Sequence, residues 1–213
     1  MLLDLVLNSL TMFEDDCALI CDKHYPTVHN RGMLETHLGT AITRRLSSTL
    51  STSSVEHSVA PFIEVSQCPD HPIYRIVLAS SSVWVVARRM VSANYSCRNS
   101  VIRQLKSLRN EFSVCFSNND LIVVVADHWY DRSKASKELY DWWVGELPDN
   151  VDEYTQEGIN LNKASTHFID ELTQLELFSI HSIAATHPLS RLSDNKKVKK
   201  YSLYYCLLTI DHC

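Results

Sequence analysis

The feature that most constrains this chain is the run Leu121-Ile122-Val123-Val124-Val125-Ala126, which stops at Asp127-His128 and is followed by a strongly helical segment. An uninterrupted stretch of β-branched and aliphatic residues of this length reads as a strand buried on both faces, and such strands belong to sheets covered by helices on both sides. The run therefore predicts a layered protein and delivers a carboxylate and an imidazole to one edge of its sheet. Open sheets containing parallel strands place ligands at that edge.

The flanking segments fill in the layers. Leu2 to Cys21 and Gly32 to Leu46 carry apolar residues at helical intervals, whereas Ser47 to Ser54 is rich in Ser and Thr and reads as a mobile loop. The period then shortens. Val59 to Val65, Ile73 to Ala79 and Val83 to Ala87 read as strands, with Pro69 and Pro72 breaking the first link and Ser80-Ser81-Ser82 turning the second into a hairpin. Val101, Ile102, Leu105, Leu108 and Phe112 form one stripe of an amphipathic helix over Cys97 to Phe112. Val114 to Phe116 reads as a short strand that turns back onto the Leu121 strand. Helices are expected over Ser133 to Glu146, capped by Ser133 and stopped by Leu147-Pro148, and over Asn162 to Leu175, with a solvated acidic stretch, Asp149 to Glu157, between them. Leu177 to Ala185 and Lys199 to Ile210 read as closing strands.

The expected fold is α+β or mixed α/β: one domain over residues 1–213, with a helical segment over 1–46, a loop over 47–54 and a central mixed sheet flanked by helices. With 213 residues and 45% hydrophobic content, the chain buries a core without staples. Its seven cysteines are odd in number and sit mostly in apolar elements, which suits reduced, cytoplasmic thiols better than a disulfide framework. The apolar N-terminus has Asp4 early and no leading basic region, so it reads as a helix and not as a signal, and no apolar segment approaches the ~20 residues of a bilayer span. Four glycines leave little material for glycine-rich phosphate loops. The terminal strand Tyr201 to Ile210 is long and apolar and, if it forms a sheet edge, would drive homodimerisation.

Residues 31–127 run in the order αβββαβ, and this order resembles that of restriction-endonuclease-like nucleases. The resemblance implies a carboxylate on one central strand, an acidic-x-Lys triplet on the next, and magnesium held between them. Pro69-Asp70 supplies the first element, but the next strand reads Val85-Val86-Ala87-Arg88-Arg89 and has no acid. Glu64 lacks the following x-Lys, and Glu35 could serve only as an accessory ligand from the helix.

Other constellations are partial. Asp127 and His128, with Asp131 nearby, could serve an active site, although carboxylates at such a position also cap the following helix. Cys17, Cys21 and His24 share a helical face and could ligate zinc, although buried cysteines are ordinary core residues. Arg88, Arg89, Arg98, Arg103, Lys106 and Arg109 occur between Val83 and Asn110 with no acidic residue among them, while residues Asp127 to Glu157 are predominantly acidic. The two stretches either pair with each other or leave a basic face for nucleic acid or an acidic partner. Trp142 and Trp143 are core or a binding surface.

With a formal charge of −5 and no complete catalytic motif, the leading expectation is a soluble, non-catalytic binding or regulatory accessory protein of a bacterium or mobile element, working through protein contacts without a cofactor. The alternative is a divergent magnesium-dependent nuclease or nucleic-acid-binding protein using Glu35, Glu64 or Asp70 with the basic segment 88–109.

Overall fold

The Leu121 run forms the centre of the sheet. In the computed structural model, which describes residues 2–24, 32–60, 63–65, 68–91, 93–174, 178–191 and 193–210 (the side chains of 63–65, 68–71 and 210 excepted), it is strand β5, Leu121–Trp129, buried along almost its whole length. Two helices precede the sheet, α1 (Leu2–His24) and α2 (Glu35–Thr52). Strands β1 (His57–Val59), β2 (Ile63–Val65), β3 (Cys68–Leu78) and β4 (Ser82–Arg89) follow, then helix α3 (Tyr95–Glu111) and β5. Helices α4 (Lys134–Val144), α5 (Val151–Gln156) and α6 (Phe168–Thr173) lead to β6 (Phe178–Thr186) and β7 (Tyr201–Ile210). The sheet order is β1-β3-β4-β5-β7-β6, with β2 pairing β3 off this path.

The sheet is mixed because one connection differs from the others. The β3–β4 hairpin and the β5–β7–β6 ladder are antiparallel, whereas α3 carries the chain across the sheet so that β4 and β5 run parallel. Alternation along each strand then builds two cores. Trp84, Val86, Ile122, Val124 and Ala126 face α3, α4 and α6, while Val83, Val85, Val123 and Val125 face α1 and α2. The α+β architecture read from the sequence is therefore a three-layer arrangement with the Leu121 strand in the middle layer.

Several local expectations are corrected. The Ser/Thr tract at 47–54 is not a loop, because α2 continues to Thr52. The hydroxyls of Thr49 and Thr52 bond the carbonyls of Arg45 and Ser48 four residues back, and Leu46 and Leu50 anchor the same face in the core. Pro69 and Pro72 lie within β3 and do not break it; register with β4 begins at Ile73, so the missing N–H groups cost no bond to β4. Residues Ser113–Cys115 form a 3-10 turn and no strand, since both sides of β5 are taken by β4 and β7. Helix α4 ends before Leu147-Pro148, at Gly145, whose φ of 94° provides the left-handed cap.

The helix expected over Asn162 to Leu175 is confined to α6; Leu161 instead packs with Tyr130, Tyr154 and Ile159, and the Asn162 N–H bonds Lys137 O. Leu175 lies outside the described residues. The acidic stretch before it holds α5, which exposes Asp152 and Glu153 but buries Tyr154. Strand β7 is not an edge: β5 and β6 pair along its two sides, so the ground for dimerisation through it is removed. No described helix is long and apolar enough to cross a membrane.

Candidate functional site

The carboxyl ends of the parallel pair β4–β5 bring Arg89 opposite Asp127, and the Met90 N–H bonds Asp127 O at 2.9 Å. Successive residues of a strand point to opposite faces. Asp127 consequently projects toward α1 and α2, and His128 toward α4. The two cannot act on one substrate atom.

Asp127 is fully buried. Its Oδ2 accepts the Met33 N–H at 2.5 Å and the Tyr201 hydroxyl at 3.1 Å, while Oδ1 has no hydrogen-bond partner among the described residues. Because the Tyr201 hydroxyl donates to the carboxylate, the Cys17 thiol, 3.6 Å away, donates to Tyr201. Burial pushes the Asp127 carboxyl up to about 7, outweighing the Met33 and Tyr201 bonds and the nearby Arg89; the Glu35 carboxylate pushes it further in the same direction. The approach of Met33 depends on Gly32, which has φ +90° and where a Cβ would lie 2.7 Å from Asp127 Oδ2. Asp127 thus fastens the chain just before α2 instead of capping α4. Asp131 does serve α4: its Oδ1 accepts the N–H of Ser133, whose own hydroxyl accepts the Ser136 N–H.

His128 is 1% exposed. Its Nδ1 faces the Met90 carbonyl and must donate to it, which leaves Nε2 to accept from the Ser136 hydroxyl at 2.6 Å. Both ring nitrogens of the neutral form are satisfied. Burial lowers its pKa to about 4, so it remains neutral near pH 7. A general base sealed into the core on the face opposite Asp127 has no route to substrate, and the active site expected at Asp127-His128 is not formed.

Glu35 opens α2 and reaches the end of β4. Its Oε1 accepts the Arg89 N–H at 3.0 Å and lies 3.7 Å from Arg88 Nε. Glu35 and Asp127 are therefore brought to one strand edge, where Glu35 accepts the Arg89 N–H of β4 and Asp127, on β5, accepts the Met33 N–H just before α2. The side chains of Glu64 and Asp70 lie outside those described. At the position where a nuclease-like site would collect carboxylates around a cation, the described residues place the guanidinium of Arg88 against Glu35, and such a donor set does not fit magnesium.

The basic segment divides. Arg88 is 4% exposed and donates to the Ser100 hydroxyl and Gln104 of α3. Arg98, also buried, donates to Ala93 O and Ala135 O, lies 3.7 Å from Glu138 and sits over the Trp142 ring. These two arginines are internal fasteners and cannot line a groove; the Arg98–Glu138 pair joins the basic stretch to the acidic one. Arg103 and Lys106 are exposed on α3, while Arg89 and Arg109 are half-buried. Trp142 and Trp143 are fully buried against Phe168, so neither is a stacking platform.

Cys17 and Cys21 face the core, whereas His24 is exposed with its ring edge-on to His37 at 5.4 Å. Among the described residues no three His, Cys, Asp or Glu side chains converge as metal ligands. The contributors that the sequence did not single out are Gly32, Met33 and Tyr201. Their partner Asp127 is 94 positions from Met33 and 74 from Tyr201, and no local pattern signals contacts at that separation.

No protein-family model matches the chain. No curated protein matches it either. Among solved structures, humanized D. rerio TDP2 carrying 14 mutations aligns over 78% of this chain and 81% of its own, at 9% identity and a TM-score of 0.28. A likeness at that level supports no functional conclusion.

Proposed function

We propose that this protein is a non-catalytic binding or accessory protein that works through protein contacts. The observation that carries the reading is the use made of the two acids at the β4–β5 edge. Glu35 and Asp127 each accept a backbone N–H and together close the entry to α2 against the sheet. The junction also presents apolar surface: Leu34, next to Glu35, is 55% exposed, and Val91, whose N–H bonds Arg89 O, is 47% exposed. Exposed aliphatic side chains beside carboxyl groups committed to backbone N–H groups suit a protein contact better than a reacting centre.

Incubation with DNA and RNA in magnesium or manganese tests this reading; no cleavage above background is expected. Metal-dependent cleavage abolished by Glu35→Gln would overturn it.

A nucleic-acid contact is the second reading, favoured by the exposed Arg103 and Lys106 on the outer face of α3 with Tyr95, 78% exposed, at the start of the same helix. Fluorescence anisotropy with labelled duplex over a salt series decides it. A contact made through these two cations would lose roughly two counterions' worth of salt slope in the doubly neutralised variant.

A further inference from the structure

Helices α1 and α2 pair antiparallel, with Asp16 beside Arg45 midway along their seam and His24 beside His37 at the C-terminal end of α1. Between these two contacts their outer faces leave a groove of about 430 Å³. Its cationic lining comprises Lys23, Arg44 and Arg45, its imidazoles are His24 and His37, and its carboxylate is Asp16. Leu19, Ile20 and Ala41 supply apolar wall, and Ser48 adds a hydroxyl.

Among the described lining residues three cations face one carboxylate, and that carboxylate is committed: Arg45 Nε and Nη2 each contact a different Asp16 oxygen at 2.5 Å. Lys23 and Arg44 thus leave two positive charges unneutralised by the lining, in a protein whose net charge is −5. His37 registers that field. The pKa of His37 is lowered by burial first, then by His24 and by Arg44, so positive groups already crowd the groove.

We propose that the groove between α1 and α2 is a binding site for a small phosphate monoester carrying a compact apolar group. A phosphate dianion offers several equivalent oxygens, which lets it take donors from both helices at once: Lys23 and His24 from α1, Arg44 and His37 from α2. The apolar wall, from which Leu19 stands 69% exposed, receives the organic part. Between Asp16 and His24 the groove extends roughly 12 Å, at ~1.5 Å per helical residue, which suits a small molecule and not a polymer backbone. Its volume falls within the range of about 300–1,000 Å³ usual for small-molecule sites. The inference is independent of the strand-edge acids and gives the accessory protein a soluble ligand in addition to its protein contact.

The test is an NMR titration of the His24 and His37 imidazole resonances near pH 6.5, with phenyl phosphate, inorganic phosphate and phenol as probes. Phenyl phosphate is expected to shift both resonances saturably and to bind at least tenfold more tightly than inorganic phosphate, while phenol leaves them in place. Bound phosphate should also raise the pH at which His37 titrates. Arg44→Gln, at an exposed position, should weaken phenyl phosphate binding at least tenfold with an unchanged thermal melt; Arg103→Gln, on α3, should leave binding intact. The proposal is overturned by the absence of saturation, by binding equal to wild type in Arg44→Gln, by equal binding of phenol, or by an equal loss in Arg103→Gln, which would mark a general charge effect. Hydrolysis of phenyl phosphate would overturn the non-catalytic reading and leave the site standing.

Discussion

Replacing Asp127 with asparagine should change the sign of its effect on stability with pH. The carboxyl group titrates at about 7 in the fold against 3.8 ordinarily. Between those values the unfolded chain has released the proton and the folded chain still holds it, so stability falls as pH rises. At ~1.4 kcal/mol per pH unit, the loss approaches about 4 kcal/mol by pH 8 and is absent below pH 4. The asparagine side chain would remain neutral throughout and can still accept from Met33 and Tyr201 through its carbonyl. Its amide NH2 then occupies the position of Oδ1, which has no partner among the described residues, at a cost of about 1–3 kcal/mol at every pH. The variant should therefore be less stable than wild type at pH 4 and more stable at pH 8, with the curves crossing near the middle of that window. His128 and His187, both lowered to about 4 by burial, impose the opposite trend below pH 6.5, but they are common to both proteins and cancel in the difference. Urea unfolding of both proteins at half-unit steps from pH 4 to 8.5 measures that difference. A stability gap that stays constant across the window would refute the assignment of a protonated, buried Asp127.

Three further outcomes follow from the same contacts. Gly32→Ala should lower stability by about 2 kcal/mol or more, because a left-handed φ and a Cβ directed onto Asp127 add together, and an unchanged urea midpoint would show that residues 32–34 are not held as described. Asp120→Ala should cost about 2–5 kcal/mol, since this buried carboxylate accepts the Ser82 N–H, the Trp84 indole N–H and the Ser117 hydroxyl, and the first two, both buried, would be stranded, whereas the half-buried Ser117 hydroxyl also reaches Ser80 O; thermal melts with near-ultraviolet dichroism of the tryptophans report it, and a wild-type melt would contradict it. A thiol-reactive disulfide reagent should modify exposed Cys115 rapidly, with that phase missing in Cys115→Ser, whereas buried Cys17, Cys21 and Cys206 should react only on unfolding; burial raises the Cys206 thiol pKa and adds to its inertness.

The layers were legible because periodicity reports burial. The two-sided burial of β5, the amphipathic α3 and the Ser133 cap are all dictated within a few residues, and each is found where its pattern lies. Segments whose state depends on a distant partner were not legible. The Ser/Thr tract after Leu46 is helical only because Leu46 and Leu50 find a sheet to pack on, and residues 162–164 stay out of the predicted helix where the Asn162 N–H is taken by Lys137 O and the Ala164 N–H by Asp141 Oδ2. The charges misled for a related reason: sequence gives the sign of Arg88 and Arg98 but not the strand and helix phases that turn both inward. The α1–α2 groove illustrates the converse. Lys23 with His24, and Arg44 with Arg45, look like ordinary solvated charge until the antiparallel seam sets them opposite one another.

The strand edge shows why an αβββαβ order alone does not specify chemistry. In an open sheet the crevice beyond the carboxyl ends of parallel strands is where a ligand would sit, since the strands leave it outward-facing polar groups. Here that position is filled by the chain itself. Residues 32–35 cross it, the Met33 N–H is taken by Asp127, the Arg89 N–H is taken by Glu35, and the Arg88 guanidinium approaches the same carboxylate. To free either acid for a cation, the start of α2 would have to leave the sheet, exposing the Met33 side chain, which is fully buried, and breaking both backbone bonds. Burial of one Met side chain is worth about 1.5–3 kcal/mol, the bond to the Glu35 carboxylate about the same and the Met33 bond to the Asp127 carboxyl about 1 kcal/mol, so opening would consume much of the stability of a marginal domain. The energetics therefore favour ligand contacts on surfaces that need no opening, among which the groove on the outer side of the α1–α2 hairpin is already formed.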